Sequence, residues 1–200
     1  MDCIYCQNKT TYLLSDGIRK CSQCRRKFSP KKIAREKVLV SLFLSASKIP
    51  VTALDDKSGI NINTIKKHFM IIRKKIALFL DREFERNIAK IDEYDEHIYC
   101  QKNSKSTKNC RFISFSFEDK IYTLLLQENI EQKNRLENFY KMIKVKKDSS
   151  TITDFWNYFK VFIAKHRGVA RENLIYYIKE AEFRYNYSKK EQKEILDNIL

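Results

Sequence analysis

Two CxxC pairs, Cys3-Ile4-Tyr5-Cys6 and Cys21-Ser22-Gln23-Cys24, stand 14 residues apart at the start of a 200-residue chain. Each pair puts two sulfurs on one tight turn, so two turns can supply four thiolates at the corners of a tetrahedron. Zinc favours that arrangement, at a Zn–S distance of about 2.3 Å. The stretch between the pairs reads as a hairpin. Thr10 to Leu14 carries β-branched and aromatic residues, Ser15-Asp16-Gly17 is a turn signal, and Ile18 to Lys20 leads back. A segment this short has too little apolar surface to fold alone, so a structural Zn²⁺ on Cys3, Cys6, Cys21 and Cys24 would supply the folding energy. Two disulfides are the first alternative and suit an oxidising compartment. A redox CxxC is the second, and it would sit alone in a βαβ setting.

The rest of the composition narrows the class. Apolar residues make up 43%, enough for a packed core, while 3 Gly and 2 Pro argue against a turn-rich β-sandwich. No run of about 18 apolar residues offers a membrane span. Met1-Asp2-Cys3 does not begin a basic-then-apolar leader, so a cytoplasmic protein with reduced cysteines is expected.

The net charge of +15 is unevenly distributed. Residues 1–90 hold 20 Lys/Arg against 8 Asp/Glu, whereas residues 91–200 hold 20 against 17. AT-rich coding would raise Lys throughout without creating that asymmetry. A positive field in one half points to a polyanion-binding module, with double-stranded DNA as the expected partner. Arg25 and Arg26 beside the second cysteine pair are candidate phosphate contacts.

Ser29-Pro30 closes the cysteine segment and starts a helix with Ile33, Val38, Leu39, Leu42 and Phe43 at helical spacing. Ile49-Pro50 breaks it, Thr52 can cap a short second helix, and Gly59 supplies a turn. A long helix follows, with Ile62, Ile65, Phe69, Ile72, Ile76 and Phe79 on one stripe. The order matches a helix-turn-helix. Asn63, Thr64 and Lys67 near its start are candidates for base contacts, and Lys66, Arg73 and Lys74 for phosphates. A solvated face of an ordinary bundle helix is the bland alternative.

The second half changes character. Ile91 to Tyr99 is an acidic strand candidate, and Gln101 to Asn109 is a polar loop. Arg111–Phe117 and Ile121–Leu126 form a hairpin about Glu118-Asp119. Helices are expected over 128–143, 154–165, 172–184 and 189–200. His97, Cys100 and Cys110 are too loosely spaced for a second metal site, and Trp156 belongs to a core stripe with Phe159 and Phe162.

Three stretches together resemble bacterial insertion-sequence transposases. They are the paired CxxC followed by Lys27-Phe28-Ser29; Asp95-Glu96-His97-Ile98-Tyr99; and Ile152-Thr153-Asp154-Phe155-Trp156, continuing to Glu180-Ala181-Glu182-Phe183-Arg184-Tyr185-Asn186. The resemblance implies an α+β, mostly helical chain: a zinc ribbon over 1–30, a helix-turn-helix segment over 31–90, and a shortened ribonuclease-H-like α/β domain over 91–200. It implies element-end DNA as ligand, and a second copy or an intact transposase as protein partner. Enzymes of this kind use three acidic residues to hold two Mg²⁺ or Mn²⁺ ions, roughly 3.5–4 Å apart. Asp95 matches the first acid. Thr153 stands at the glutamate position, and the region of the second aspartate is reduced, leaving Asp148 and Asp154 as substitutes. Impaired catalysis is therefore expected. An active minimal strand transferase and a zinc-ribbon protein-interaction module are the competing readings.

Overall fold

In the computed structural model, residues 1–45, 59–91, 93–101, 108–126, 150–166 and 168–200 are described. Two compact units are distinguished, Met1–Ile65 and Lys66–Leu200. The chain is α+β, with two antiparallel three-stranded sheets among the described residues. The expected helix over 128–143 and the short helix at Thr52 lie outside the described residues.

The first unit begins with β1 (Thr11–Leu13), β2 (Arg19–Cys21) and β3 (Lys27–Phe28). Thr11 pairs with Cys21 and Leu13 with Arg19 across the expected hairpin. Its turn is an Asx turn in which the Ile18 N–H donates to Asp16 Oδ1 at 3.0 Å, and Gly17 takes the left-handed conformation at φ 74°. The third strand was not expected: Lys27 and Phe28 pair with Lys20 and Arg19. Cys3, Cys21 and Phe28 form a small buried cluster. Then α1 (Pro30–Ser45) opens on Pro30, whose missing N–H costs nothing in a first turn. Leu39 and Phe43, one turn apart, are buried, while Val38 is exposed rather than on the core stripe.

The long helix α2 (Ile62–Asn87) starts where expected. Asn61 caps it: the Asn63 N–H donates to Asn61 Oδ1 at 2.9 Å. Phe69, Ile72, Ile76 and Leu80 are buried along one stripe.

In the second unit, β4 (Glu93–Gln101), β5 (Lys108–Phe117) and β6 (Lys120–Leu126) form a meander. Alternation sorts β5 cleanly. Ile113 and Phe115 pack with Phe84 of α2 on one face. Cys110 and Phe112 pack on the other with α3 (Ser150–Ala164) and α4 (Leu174–Asn186). Both faces of the sheet are thus covered. Gly168 turns the chain after α3 at φ 72°. The last helix, α5 (Lys189–Ile199), begins in a capping box between Ser188 and Glu191.

Strand β6 lies at the sheet edge, where backbone groups lack a neighbouring strand. Two side chains one turn apart on α4 replace that strand. Asn186 accepts from the Ile121 N–H at 2.8 Å and donates to the Ile121 carbonyl at 2.6 Å. Glu182 accepts from the Thr123 N–H at 3.0 Å. The Glu180–Asn186 stretch therefore docks a helix on a sheet edge.

Candidate metal centre and nucleic-acid interface

The two CxxC turns are built alike. The Cys3 N–H donates to the Asn8 carbonyl at 2.8 Å, and the Cys21 N–H donates to the Arg26 carbonyl at 3.0 Å. The residue after each second cysteine is left-handed, Gln7 at φ 58° and Arg25 at φ 56°. Neither is glycine, so each turn carries backbone strain of about 1–2 kcal/mol. The Tyr5 N–H points at Cys3 Sγ, 3.5 Å away.

This geometry gathers the sulfurs. Cys3 and Cys24 stand 3.5 Å apart, as do Cys6 and Cys21. All four ligand atoms lie within 4.8 Å of one another. A tetrahedron with metal–sulfur bonds of about 2.3 Å has edges of about 3.8 Å, so the site could hold a metal ion such as zinc. Burial opposes ionisation of Cys21, but the amides of Cys24 and Gln23 and the thiols of Cys6 and Cys3 bring it down to about 6. The Arg26 amide favours a Cys24 thiolate, yet burial and the three neighbouring sulfurs push it up to about 12. One thiolate forms readily and a later one only against its neighbours' charge. A central cation removes that repulsion.

Arg25 and Arg26 are exposed beside this centre, and the Arg26 guanidinium lies 5.1 Å from the centroid of the Tyr5 ring. On α2, Asn63, Lys66 and Lys67 are exposed and Thr64 is half-buried. Farther along, the polar face is used for packing. Arg73, expected at a phosphate, is instead buried: its Nε bonds Glu180 Oε2 at 2.6 Å and its guanidinium stacks 4.0 Å from the centroid of Tyr177. The cause is spacing, since Arg73 follows Phe69 by one turn and falls within the stripe covered by α4. Lys74 is exposed and reaches over Tyr176 at 5.6 Å. Lys75 donates to the Ile199 carbonyl at 2.7 Å, at the end of α5. The cations of α2 that face solvent near its start are thus Lys66 and Lys67.

The two described acidic candidates stand on separate elements, Asp95 on β4 and Asp154 on α3. Asp95 is half-buried on β4 opposite Ser114, which accepts from the Trp156 indole N–H at 3.0 Å. Thr153 and Asp154 are both exposed on the first turns of α3, between the buried Ile152 and Phe155. Asp148 lies outside the described residues. Among the described residues, the four cysteines are the one group of three or more metal-ligating side chains that converge. Cys110 is buried, with the Arg171 Nε donating to its sulfur at 3.2 Å.

Sequence reasoning missed Glu180 and Glu182 as buried charges. Glu180 accepts from Arg73 and, at 2.8 Å, from the Arg184 Nε. Burial alone would raise its pKa, but the two guanidiniums overcome this and hold it below the usual carboxylate range. Glu182 goes the other way: burial outweighs Lys179 and the Thr123 amide and raises it to about 7. The i,i+4 pairing of Glu180 with Arg184 was the available signal.

Comparison with protein families, curated proteins and solved structures finds no match. No described helix is long and apolar enough to cross a membrane.

Proposed function

We propose that the chain is a DNA-binding protein of transposase descent that holds zinc in its four-cysteine centre and grips duplex DNA through cations of its N-terminal half. The observation that carries this reading is the pair of matching cysteine turns, the second running directly into exposed Arg25 and Arg26. Zinc suits the donor set: four soft thiolates at tetrahedral spacing with no open position. Bound there, it would fix both turns and so the direction of the two arginines. Lys66 and Lys67 on the exposed first turns of α2 supply further phosphate contacts, with Asn63 and Thr64 as candidate base contacts.

The same reading assigns binding rather than strand cutting. Thr153 offers no charge at the glutamate position that the resemblance implies, and Asp154 is rotated from it by about 100° on the helix. A chain that binds element ends without cutting them would compete with an intact transposase.

Titration of the purified chain with a labelled duplex over a series of salt concentrations tests the proposal. Affinity should fall linearly on a log–log plot, and Lys66→Ala or Lys67→Ala should each lower the slope by about 1. Absence of binding in dilute buffer, or binding indifferent to salt, would overturn it. Lack of zinc in the purified chain would overturn the metal assignment.

A further inference from the structure

The two cysteine turns share a backbone but not a surface. The second presents Arg25 and Arg26, while the first presents Ile4 and Tyr5, each 49% exposed. Beside the first turn is a cavity of about 360 Å³, at the small end of ligand-sized clefts. Its walls are Ile4, Tyr5, Ile18 and Phe28, and its polar groups include Lys27 and Glu36. Tyr5 meets Phe28 edge-on, with ring centroids 6.5 Å apart, and Arg26 rests over the Tyr5 ring. An exposed aromatic ring is therefore held in a fixed attitude at the border between an apolar pocket and a cationic strip.

We infer that this cavity is a subsite for an unpaired base of single-stranded DNA, stacked on Tyr5 while its flanking phosphates lie along Arg26 and Lys27. Duplex binding has no use for the ring, because paired bases keep their faces within the stack. Single strands expose those faces, and proteins that bind them combine aromatic platforms with basic grooves. Charge complementarity favours DNA over a second protein surface here: Lys27 lines the cavity and Arg26 lies over the Tyr5 ring of its wall, with Arg25 next to them in the sequence. Glu36 is the one acid in the wall and could accept from an exocyclic amine, as carboxylates do from cytosine. The inference rests on the reading of the chain as DNA-binding and adds the strand state of the ligand. DNA ends, where strands fray, would present such a base.

The test compares a fluorescent oligothymidylate with a fluorescent duplex on the full zinc-loaded chain. Tyr5→Ala should weaken oligothymidylate binding about 5- to 100-fold and leave duplex affinity within about twofold, whereas Tyr5→Phe should keep both. Equal loss on both ligands, or no loss on the oligothymidylate, overturns the inference. So does a wild-type chain that binds duplex but not oligothymidylate, an outcome that leaves the proposed function standing. A chain that ignores duplex but self-associates in ultracentrifugation overturns both and reassigns the cavity to contacts between copies. Should Tyr5→Ala lose its zinc, photocrosslinking of the wild type to a bromodeoxyuridine oligomer decides: attachment at Tyr5 supports the subsite, and attachment confined to other residues overturns it.

Discussion

Arg73 and Glu180 meet at 2.6 Å with both side chains almost wholly shielded from water, and Arg184 bonds the other oxygen of the same carboxylate at 2.7 Å. One acid thus serves two guanidiniums, and α2 is fastened to α4 through a charge that neither could bury alone. Removing the acid takes from both guanidiniums the carboxylate they share. Glu180→Gln should therefore cost about 3–5 kcal/mol of stability, the range for a broken buried ion pair, measured by urea denaturation. Lys66→Ala, on the exposed face of the same helix, should stay within about 0.5 kcal/mol. A loss below about 1 kcal/mol for Glu180→Gln would mean the triad is not what fixes α4.

Two neighbouring acids on α4 should give opposite pH responses. Glu180 is held below the ordinary carboxylate value. Its contribution is present above the unfolded value of about 4.5 and is lost as pH falls through its folded pKa. Glu182 is raised to about 7. The native state therefore holds its proton more tightly than the unfolded chain does, and that advantage, complete below the unfolded value, disappears as pH rises through about 7. Glu182→Gln keeps an oxygen for the Thr123 amide but has no proton to lose. Between about pH 5 and pH 8 the wild type should lose stability relative to the variant. Parallel curves from urea midpoints would refute the assignment to Glu182.

Much of this architecture is legible in the chain itself. The cysteine spacing brings the four sulfurs together because four side chains on two short turns leave few other geometries. Alternation in Arg111–Phe117 marks a strand, though not that both of its faces are covered, and the Phe69–Ile76 stripe marks the core face of α2. What was illegible has a common cause. Arg73 lies one turn from Phe69, inside the apolar stripe, but its charge suggested the solvent face; the carboxylate that meets it in the interior, Glu180 on α4, comes more than a hundred residues later. Val38 errs in the opposite direction, since an apolar residue beside Leu39 need not share its face. The Lys27–Phe28 strand is too short to carry a period. Asn186 and Glu182 look like ordinary helix polar residues until the open edge of β6 lies beneath them.

Metal removal should act on the first unit alone. Among the described residues, the Thr11–Phe28 sheet carries a buried cluster of Cys3, Cys21 and Phe28 with Cys24 against it, too small a core to persist without the cross-link of four metal–sulfur bonds. Chelation should abolish hydrogen-exchange protection over Thr11–Phe28 while α3 and α4 keep theirs, since their aromatic core is built within the second unit. Cys21→Ser should reproduce the effect without chelator. Protection of Thr11–Phe28 that survives chelation would show that the strands need no metal.

The β5–β6 turn stores strain that substitution can release. Glu118 and Asp119 both have positive φ, 45° and 61°, the pattern of a two-residue turn that favours Asn-Gly. Glu118→Asn combined with Asp119→Gly should raise stability by about 1 kcal/mol, read as a higher urea midpoint with unchanged slope. No gain would mean that the acidic side chains repay their backbone cost in contacts of their own.

Gln7 and Arg25 separate backbone strain from charge, because they occupy equivalent left-handed positions in the two cysteine turns. Glycine relieves the same strain at either site, so Gln7→Gly and Arg25→Gly should both hold the metal at least as tightly as the wild type in a competition with a chromophoric chelator. Their duplex affinities should diverge. Gln7→Gly removes no cation and should match the wild type, whereas Arg25→Gly should lower the salt slope by about 1. Equal duplex binding by the two variants would remove Arg25 from the phosphate contacts, and weaker metal binding by both would mean that the left-handed side chains, not the turn geometry, hold the sulfurs in place.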